Sequence, residues 1–278
     1  MQYIDSHAFV WSNDNLSYPI TKDFTDLPAG KIEFSPPELL LRNGRPSSVD
    51  KFVLIQAPQY HSDNTYIIEQ VTRFPEIFKA VVYVHPSSPK IQEEMTNFSR
   101  LGINAFRIIT PTNLKPQFYK DYGYDLMFSE AEKNNHIISV LAYPDGFIQL
   151  KNISEVYPNL PVVIENIGNI FEEKNNFQKS LYDLCELSSS GNIFLKLSGF
   201  HRYSNNKLGL DELILTIEKL YSAFSPNRLM WGSDYPFQVL HETYEDSLSI
   251  IKNDCTFLSA EQKQQILSIT ARDLFFPY

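Results

Sequence analysis

The sequence predicts a TIM-type (β/α)8 barrel, an α/β fold that takes residues 1–278 as a single domain. Three observations predict it. Eight short runs rich in β-branched and aromatic residues recur, at residues 2–5, 52–56, 78–84, 105–109, 137–142, 162–165, 193–197 and 229–231. Amphipathic helical stretches lie between them, at 65–73, 91–99, 125–134, 181–189 and 210–223. The chain has 278 residues, and a barrel of this kind takes ~250. Strands that alternate with helices pair in parallel, because each parallel pair needs a crossover. Eight such units in this length suit a closed barrel better than an open sheet.

Taken in order, the elements carry their own punctuation. After the first run comes the least regular stretch of the chain, residues 12–45, broken by Asp, Asn and Pro. It is long for a first loop, and loops at the top of a barrel often form part of the site. Asp63 or Asn64 stands where an N-cap should precede the helix at 65–73. Gly102 follows the helix at 91–99 as a C-terminal cap. Pro158 and Pro161 bracket the approach to the sixth strand, and Ser259 with Gln262 forms a capping box opening the last helix. The sequence has no internal repeat beyond the β/α unit, no low-complexity segment and no linker.

Composition narrows the function classes. A net charge of −9 with no offsetting basic run argues against nucleic acid as a partner. No apolar run approaches the ~20 residues that span a bilayer, and the start, MQYIDSHAF, lacks the pattern of a signal peptide. The two cysteines, Cys185 and Cys255, make no disulfide framework and no Cys-x-x-Cys. The expectation is a cytoplasmic protein whose partner is a small molecule. Its oligomeric state is left open.

Catalytic groups in such barrels sit at the C-terminal ends of strands. That rule selects His7 and Phe9, Gln56, His85, Arg107 to Thr110, Tyr143, Asn166, Ser198 to Arg202, and Asp234. The first strand reads Ile4-Asp5-Ser6-His7-Ala8-Phe9 and the last Met230-Trp231-Gly232-Ser233-Asp234-Tyr235-Pro236. Between them stand Leu160-Pro161-Val162-Val163-Ile164-Glu165-Asn166-Ile167-Gly168 and Leu195-Lys196-Leu197-Ser198-Gly199. Together with Gln56-Ala57-Pro58 through Asp63-Asn64-Thr65-Tyr66, these resemble the amidohydrolase-related (amidohydrolase 2) family of metal-dependent-hydrolase-like barrels. The likeness is to its sugar-lactonase and 2-pyrone-4,6-dicarboxylate lactonase branch, and it runs over essentially the whole chain.

Departures from the family pattern bear on mechanism. The family usually ends strand one in His-x-His, whose side chains share a face and converge on a divalent metal. Here the second position is Phe9. Asn166 and Tyr143 stand where strands six and five usually end in histidine. Of the usual metal ligands, His7 and Asp234 remain, whereas a catalytic zinc normally has three protein ligands. The expectation is therefore no metal and no other cofactor. The resemblance still implies hydrolysis, because the dicarboxylate-lactonase branch works without metal.

The roles expected are these. Asp234 is the general base. His7 donates to the carbonyl oxygen or holds Asp234. Arg107 and Arg202 clamp a substrate carboxylate, and Gln56, Tyr143, Asn166 and His85 line the pocket. Arg202 has no acidic residue near it in sequence, so an anionic substrate is its natural complement, with a partner from elsewhere in the fold as the alternative. Arg107 could instead bridge to a neighbouring strand end, and Asp5 with Lys196 is read as a buried ion pair. His61 and His201 lie in loops on the functional face, and His136 on the opposite one. The leading function is opening of a small anionic lactone or related cyclic ester. The alternatives are a non-catalytic ligand-binding barrel and a decarboxylase of the same superfamily.

Overall fold

The computed structural model describes residues 2–21, 32–110, 123–172, 176–205 and 209–277. Eight strands pair in parallel and in sequence order: β1 (Tyr3–Phe9), β2 (Val49–Ile55), β3 (Phe78–Tyr83), β4 (Ala105–Ile109), β5 (Ile137–Leu141), β6 (Val162–Ile164), β7 (Ile193–Leu197) and β8 (Leu229–Trp231). Val53, Leu54 and Ile55 of β2, and Val81 and Val82 of β3, are all buried. A strand between a filled barrel interior and a ring of helices is covered on both faces, so it reads as a continuous apolar run. The expected (β/α)8 barrel is the architecture found.

The seam between β8 and β1 is made just past the end of β8. The backbone N–H of Phe9 donates to the Tyr235 carbonyl at 2.7 Å, and that of Asp234 donates to the His7 carbonyl at 2.9 Å. The Ser6 hydroxyl donates to the Trp231 carbonyl at 2.6 Å. Gly232 allows this approach: a Cβ there would stand 2.6 Å from the His7 Cβ, closer than two carbon atoms can pack. A glycine with backbone this near its neighbour is what close strand approach requires.

Several expectations are refined. β1 reaches Phe9, well beyond residues 2–5, so His7 sits inside the strand and not after it. The irregular stretch 12–45 contains a helix, Pro37–Gly44, and its residues 22–31 lie outside the described set. The helix expected at 181–189 runs Phe177–Glu186. Phe147–Val156 is a helix that its weak amphipathicity did not reveal. Gly102, with φ of 78°, ends Ile91–Arg100 as expected. Asn64 is the N-cap of Thr65–Arg73 without a side-chain capping bond, and Asp63 before it accepts from the Thr65 N–H at 3.1 Å. Asn64 is otherwise engaged: its side chain brackets the Tyr83 backbone at 2.8 and 2.9 Å. The Ser259–Gln262 capping box is present. No helix among the described residues is long and apolar enough to cross a membrane.

Candidate active site

Asp5 builds the floor under the two strand ends that matter most. Its buried carboxylate accepts from the Ser233 N–H at 2.9 Å, the Ser233 hydroxyl at 2.5 Å, the His7 N–H at 3.0 Å and the Tyr244 hydroxyl at 2.7 Å. One side chain thereby fixes the backbone on either side of His7 and Asp234. Burial nonetheless holds the Asp5 carboxyl above its ordinary range, against the lowering effect of those four hydrogen bonds. The expected Asp5–Lys196 ion pair is not formed. Lys196, fully buried, places its Nζ 3.4 Å from Nδ1 of His7.

His7 Nε2 faces Asp234, 3.5 Å from Oδ1. That exceeds hydrogen-bond length, and neither His7 Nε2 nor either Asp234 oxygen has a hydrogen-bond partner of normal length among the described residues. Arg202 Nη2 stands 3.5 Å from Asp234 Oδ2, and His201 Nε2 3.8 Å from the same oxygen. Asp234 has φ of 62°, a left-handed conformation in which Asp and Asn are several-fold enriched. Burial is the main cause that raises the Asp234 carboxyl to about 6; Arg202 and Arg107 pull it down and Glu165 pushes it up. His7 is held well below the ordinary imidazole range by burial and by the cations Lys196, Arg107 and Arg202, so it is neutral. Lys196 is lowered to about 8, chiefly by burial, while Glu165, Asp5 and Asp234 favour its charge. His201 is lowered to about 3 by burial, Arg202 and His241, and its ring stacks on His241 with centroids 5.3 Å apart.

A second polar layer joins β4, β5 and β6. Arg107 grips Glu165 with Nε at 3.2 Å from both carboxylate oxygens and Nη2 at 2.7 Å from Oε2. Its Nη1 donates to the Gln56 carbonyl at 3.3 Å, and the Ser139 hydroxyl donates to Glu165 at 2.8 Å. The guanidinium lies over the Phe9 ring, 5.5 Å from its centroid. Burial works to raise Glu165, but Arg107 and Lys196 outweigh it and hold the carboxyl below its ordinary value. Of the two roles open to Arg107, the bridge to another strand end, here that of β6, is the one that forms.

The other candidates divide. Arg202 is not unpartnered, since partners from elsewhere in the fold meet it: Nη1 donates to Asn169 at 3.1 Å and to Glu172 at 3.2 Å, besides the contact with Asp234. Its partners come from the segment after β6, which proximity in sequence could not reveal. Tyr143 is half-buried at the same mouth; burial first, then Glu172, raises its phenol. Asn166 is buried beside Ser198, whose hydroxyl donates to the amide oxygen at 2.7 Å. Gln56 turns its amide N–H groups into the following loop, to the carbonyls of His61 at 3.0 Å and Asp63 at 2.7 Å. His85 is exposed on the rim with His61 and Tyr83, and its Nδ1 accepts from the Ser87 N–H at 3.2 Å. It is not brought to the His7–Asp234 centre. Neither the place of Glu165 in this layer nor the contact of Lys196 with His7 follows from residue order. The available signal was a charged residue on the inward face of an otherwise apolar strand.

The residues present do not fit a tightly held divalent metal. His7 Nε2 and the Asp234 carboxylate are the matching donors. The Phe9 ring, with its centroid 5.1 Å from that of His7, fills the second position of strand one. The Asn166 amide oxygen already accepts a hydrogen bond, and an amide is a poor zinc ligand. A guanidinium stands at the remaining side of the Asp234 carboxylate. Among the described residues, no three His, Cys, Asp or Glu side chains group as a metal site.

The family model described as amidohydrolase matches residues 4–276. The chain belongs to the amidohydrolase family. Among its relatives is an L-fucono-1,5-lactonase of Burkholderia ambifaria, 23% identical over 259 residues, covering 87% of this chain and 83% of that one. Similar solved structures include a probable 2-pyrone-4,6-dicarboxylic acid hydrolase from Acinetobacter baumannii with citric acid bound. It is 20% identical, covers 99% of both chains and has a TM-score of 0.83. An amidohydrolase from Burkholderia multivorans with zinc bound is 18% identical, with 99% of both chains covered and a TM-score of 0.83. Within this amidohydrolase fold, the His7–Asp234 centre occupies the C-terminal ends of the barrel strands, where such barrels do their chemistry.

Proposed function

We propose that this amidohydrolase-family protein is a hydrolase that opens a small anionic lactone or a related cyclic ester, with Asp234 as general base and without a tightly bound metal. The observation that carries the reading is the Asp234 carboxylate itself. It is buried at the functional end of the barrel, its oxygens lack hydrogen-bond partners of normal length, and burial raises it to about 6. A base works best when its pKa lies near the operating pH and its lone pairs are not already engaged. A lactonase among the relatives supports a lactone as the substrate.

The chemistry balances with the groups at hand. Asp234 takes a proton from water as the water oxygen bonds to the lactone carbonyl carbon. Neutral His7 donates from Nε2 to the developing oxyanion, and such a donor in a buried site stabilises it more than water would. The ring C–O bond then breaks, and the proton held by Asp234 passes to the departing alkoxide oxygen. Arg202 receives the substrate carboxylate at the mouth. Its side chain is 28% exposed and Glu172 is 51% exposed, so an incoming carboxylate competes with Glu172 and not with buried Asp234.

A panel of sugar and dicarboxylate lactones, followed with a pH indicator on wild type and Asp234→Asn, tests the reading. Acid release by wild type and its loss in the variant are expected. Binding of a lactone or its acid with no turnover would favour a ligand-binding barrel instead.

A further inference from the structure

Lys196 has no place in the reaction just described, yet it is the strongest unexplained feature of the barrel interior. It is a lysine with no exposed surface, on β7, and its Nζ is 3.4 Å from Nδ1 of His7. Glu165, Asp5 and Asp234 act on it to favour the ammonium form, and Arg107 opposes them. A buried cation of this kind is kept only where its surroundings compensate its lost hydration.

The polarity of this contact is informative. A neutral imidazole has one N–H and one lone pair, and the partner of one nitrogen decides which carries the proton. A metal-ligating histidine almost always donates its other N–H to a carboxylate, a carbonyl or water, which frees the lone pair for the metal. His7 shows the reverse: its Nδ1 faces an ammonium, which has three donors and no acceptor. Nδ1 therefore carries the lone pair and Nε2 carries the proton. That Nε2–H is the one aimed towards Asp234 Oδ1, 3.5 Å away.

We propose that Lys196 is a positioning residue that fixes the tautomer of His7, making His7 a hydrogen-bond donor at the centre and not a base or a metal ligand. This deepens the hydrolase reading of the same site and rests on His7 acting as a donor there. The tautomer can be read without turnover, so the two can fail separately. Without the lysine, the ring would be free to present either nitrogen, and the same His7 position could revert to a lone-pair donor. A hydrogen bond to a charged group biases such an equilibrium by about ten- to a hundred-fold.

The test is nitrogen NMR of protein labelled at histidine, with His7 assigned by its loss in His7→Gln. Wild type should show Nδ1 as the unprotonated nitrogen and Nε2 as the protonated one. Lys196→Arg keeps a cationic donor and should keep that pattern. Lys196→Met removes the donor and should lower the ratio of the Nε2–H to the Nδ1–H form by about ten- to a hundred-fold. If Lys196→Met does not fold, Lys196→Leu, a smaller side chain that likewise has no donor, should show the same loss of bias. An Nδ1–H form or an imidazolium in wild type overturns the proposal, as does an unchanged ratio in a folded Met or Leu variant. An Nε2–H wild type that opens no lactone would leave the proposal standing and remove the hydrolase reading.

Discussion

At the scale of residues, Asp234 links stability to function, and the sign is open to measurement. An unfolded aspartate titrates near ~3.9, whereas Asp234 in the fold is raised to about 6. The folded state holds the proton more tightly. The resulting stability is fully present below the unfolded value and is lost as pH rises through about 6. Asparagine copies the protonated carboxyl, and it tolerates the positive φ at this position. Asp234→Asn should therefore be more stable than wild type near neutral pH, by on the order of 2–3 kcal/mol. The difference should close as acid is added, and denaturant titrations at several pH values read it directly. Turnover should move the other way, falling by ~10²–10⁴-fold. Wild-type kcat/KM should rise with pH through about 6 as Asp234 ionises. An Asp234→Asn protein that turns over normally would remove the base assignment. Arg202 gives a second residue-level test, comparing a carboxylic acid with its methyl amide in a binding titration. Wild type should prefer the acid, and Arg202→Met should lose that preference by about ten- to a hundred-fold. Equal binding of acid and amide by wild type would point to neutral lactones.

At the scale of elements, Arg107 and Glu165 tie β4 to β6 across β5, with Ser139 of β5 joining the pair. Both charges are out of solvent. Removing one partner of such a pair leaves the other buried and uncompensated, which costs about 3–5 kcal/mol. Glu165→Gln and Arg107→Met should each shift the denaturation midpoint accordingly, while Arg202→Met should leave it nearly unchanged. That contrast separates the arginine that holds the barrel from the arginine that meets the ligand. A loss below about 1 kcal/mol in Glu165→Gln would mean that the pair is not the tie described.

At the scale of the whole molecule, whether a metal can be held depends on what converges from different strands. Of the usual ligand positions, His7 and Asp234 keep a donor, Phe9 fills the second position of strand one, and Arg202 and His201 flank the carboxylate. Purified protein should carry well under one equivalent of zinc, manganese or iron by elemental analysis, and its activity should survive a chelator. Introducing Phe9→His with Asn166→His should raise metal affinity, since it restores histidine at two positions where the family usually has it. Stoichiometric metal in the wild type would overturn the metal-free mechanism. The acidic net charge of −9 offers no long-range attraction to anions, so the expected preference for them has to arise at Arg202.

The sequence by itself determined the barrel. Alternating apolar runs and amphipathic segments are local patterns, and a strand covered on both faces reads the same wherever it is placed. It also determined the ends of the functional face: His7 lies on the first strand and Asp234 just past the last, and the segment around Gly232 is readable as a motif. The tertiary structure alone decided who partners whom. Glu165 stands 58 residues from Arg107 and Lys196 stands 189 from His7, so no spacing rule could join them. Two buried cations, Arg107 and Lys196, and three buried carboxylates, Asp5, Glu165 and Asp234, admit several pairings with equal propriety. The strand register chose Arg107 with Glu165, Lys196 with His7, and Asp5 with Ser233 and Tyr244. The same holds for Arg202, whose carboxylate partners belong to other segments of the chain. Charge in a buried site is settled by distance in space, and a sequence carries that distance only through the fold.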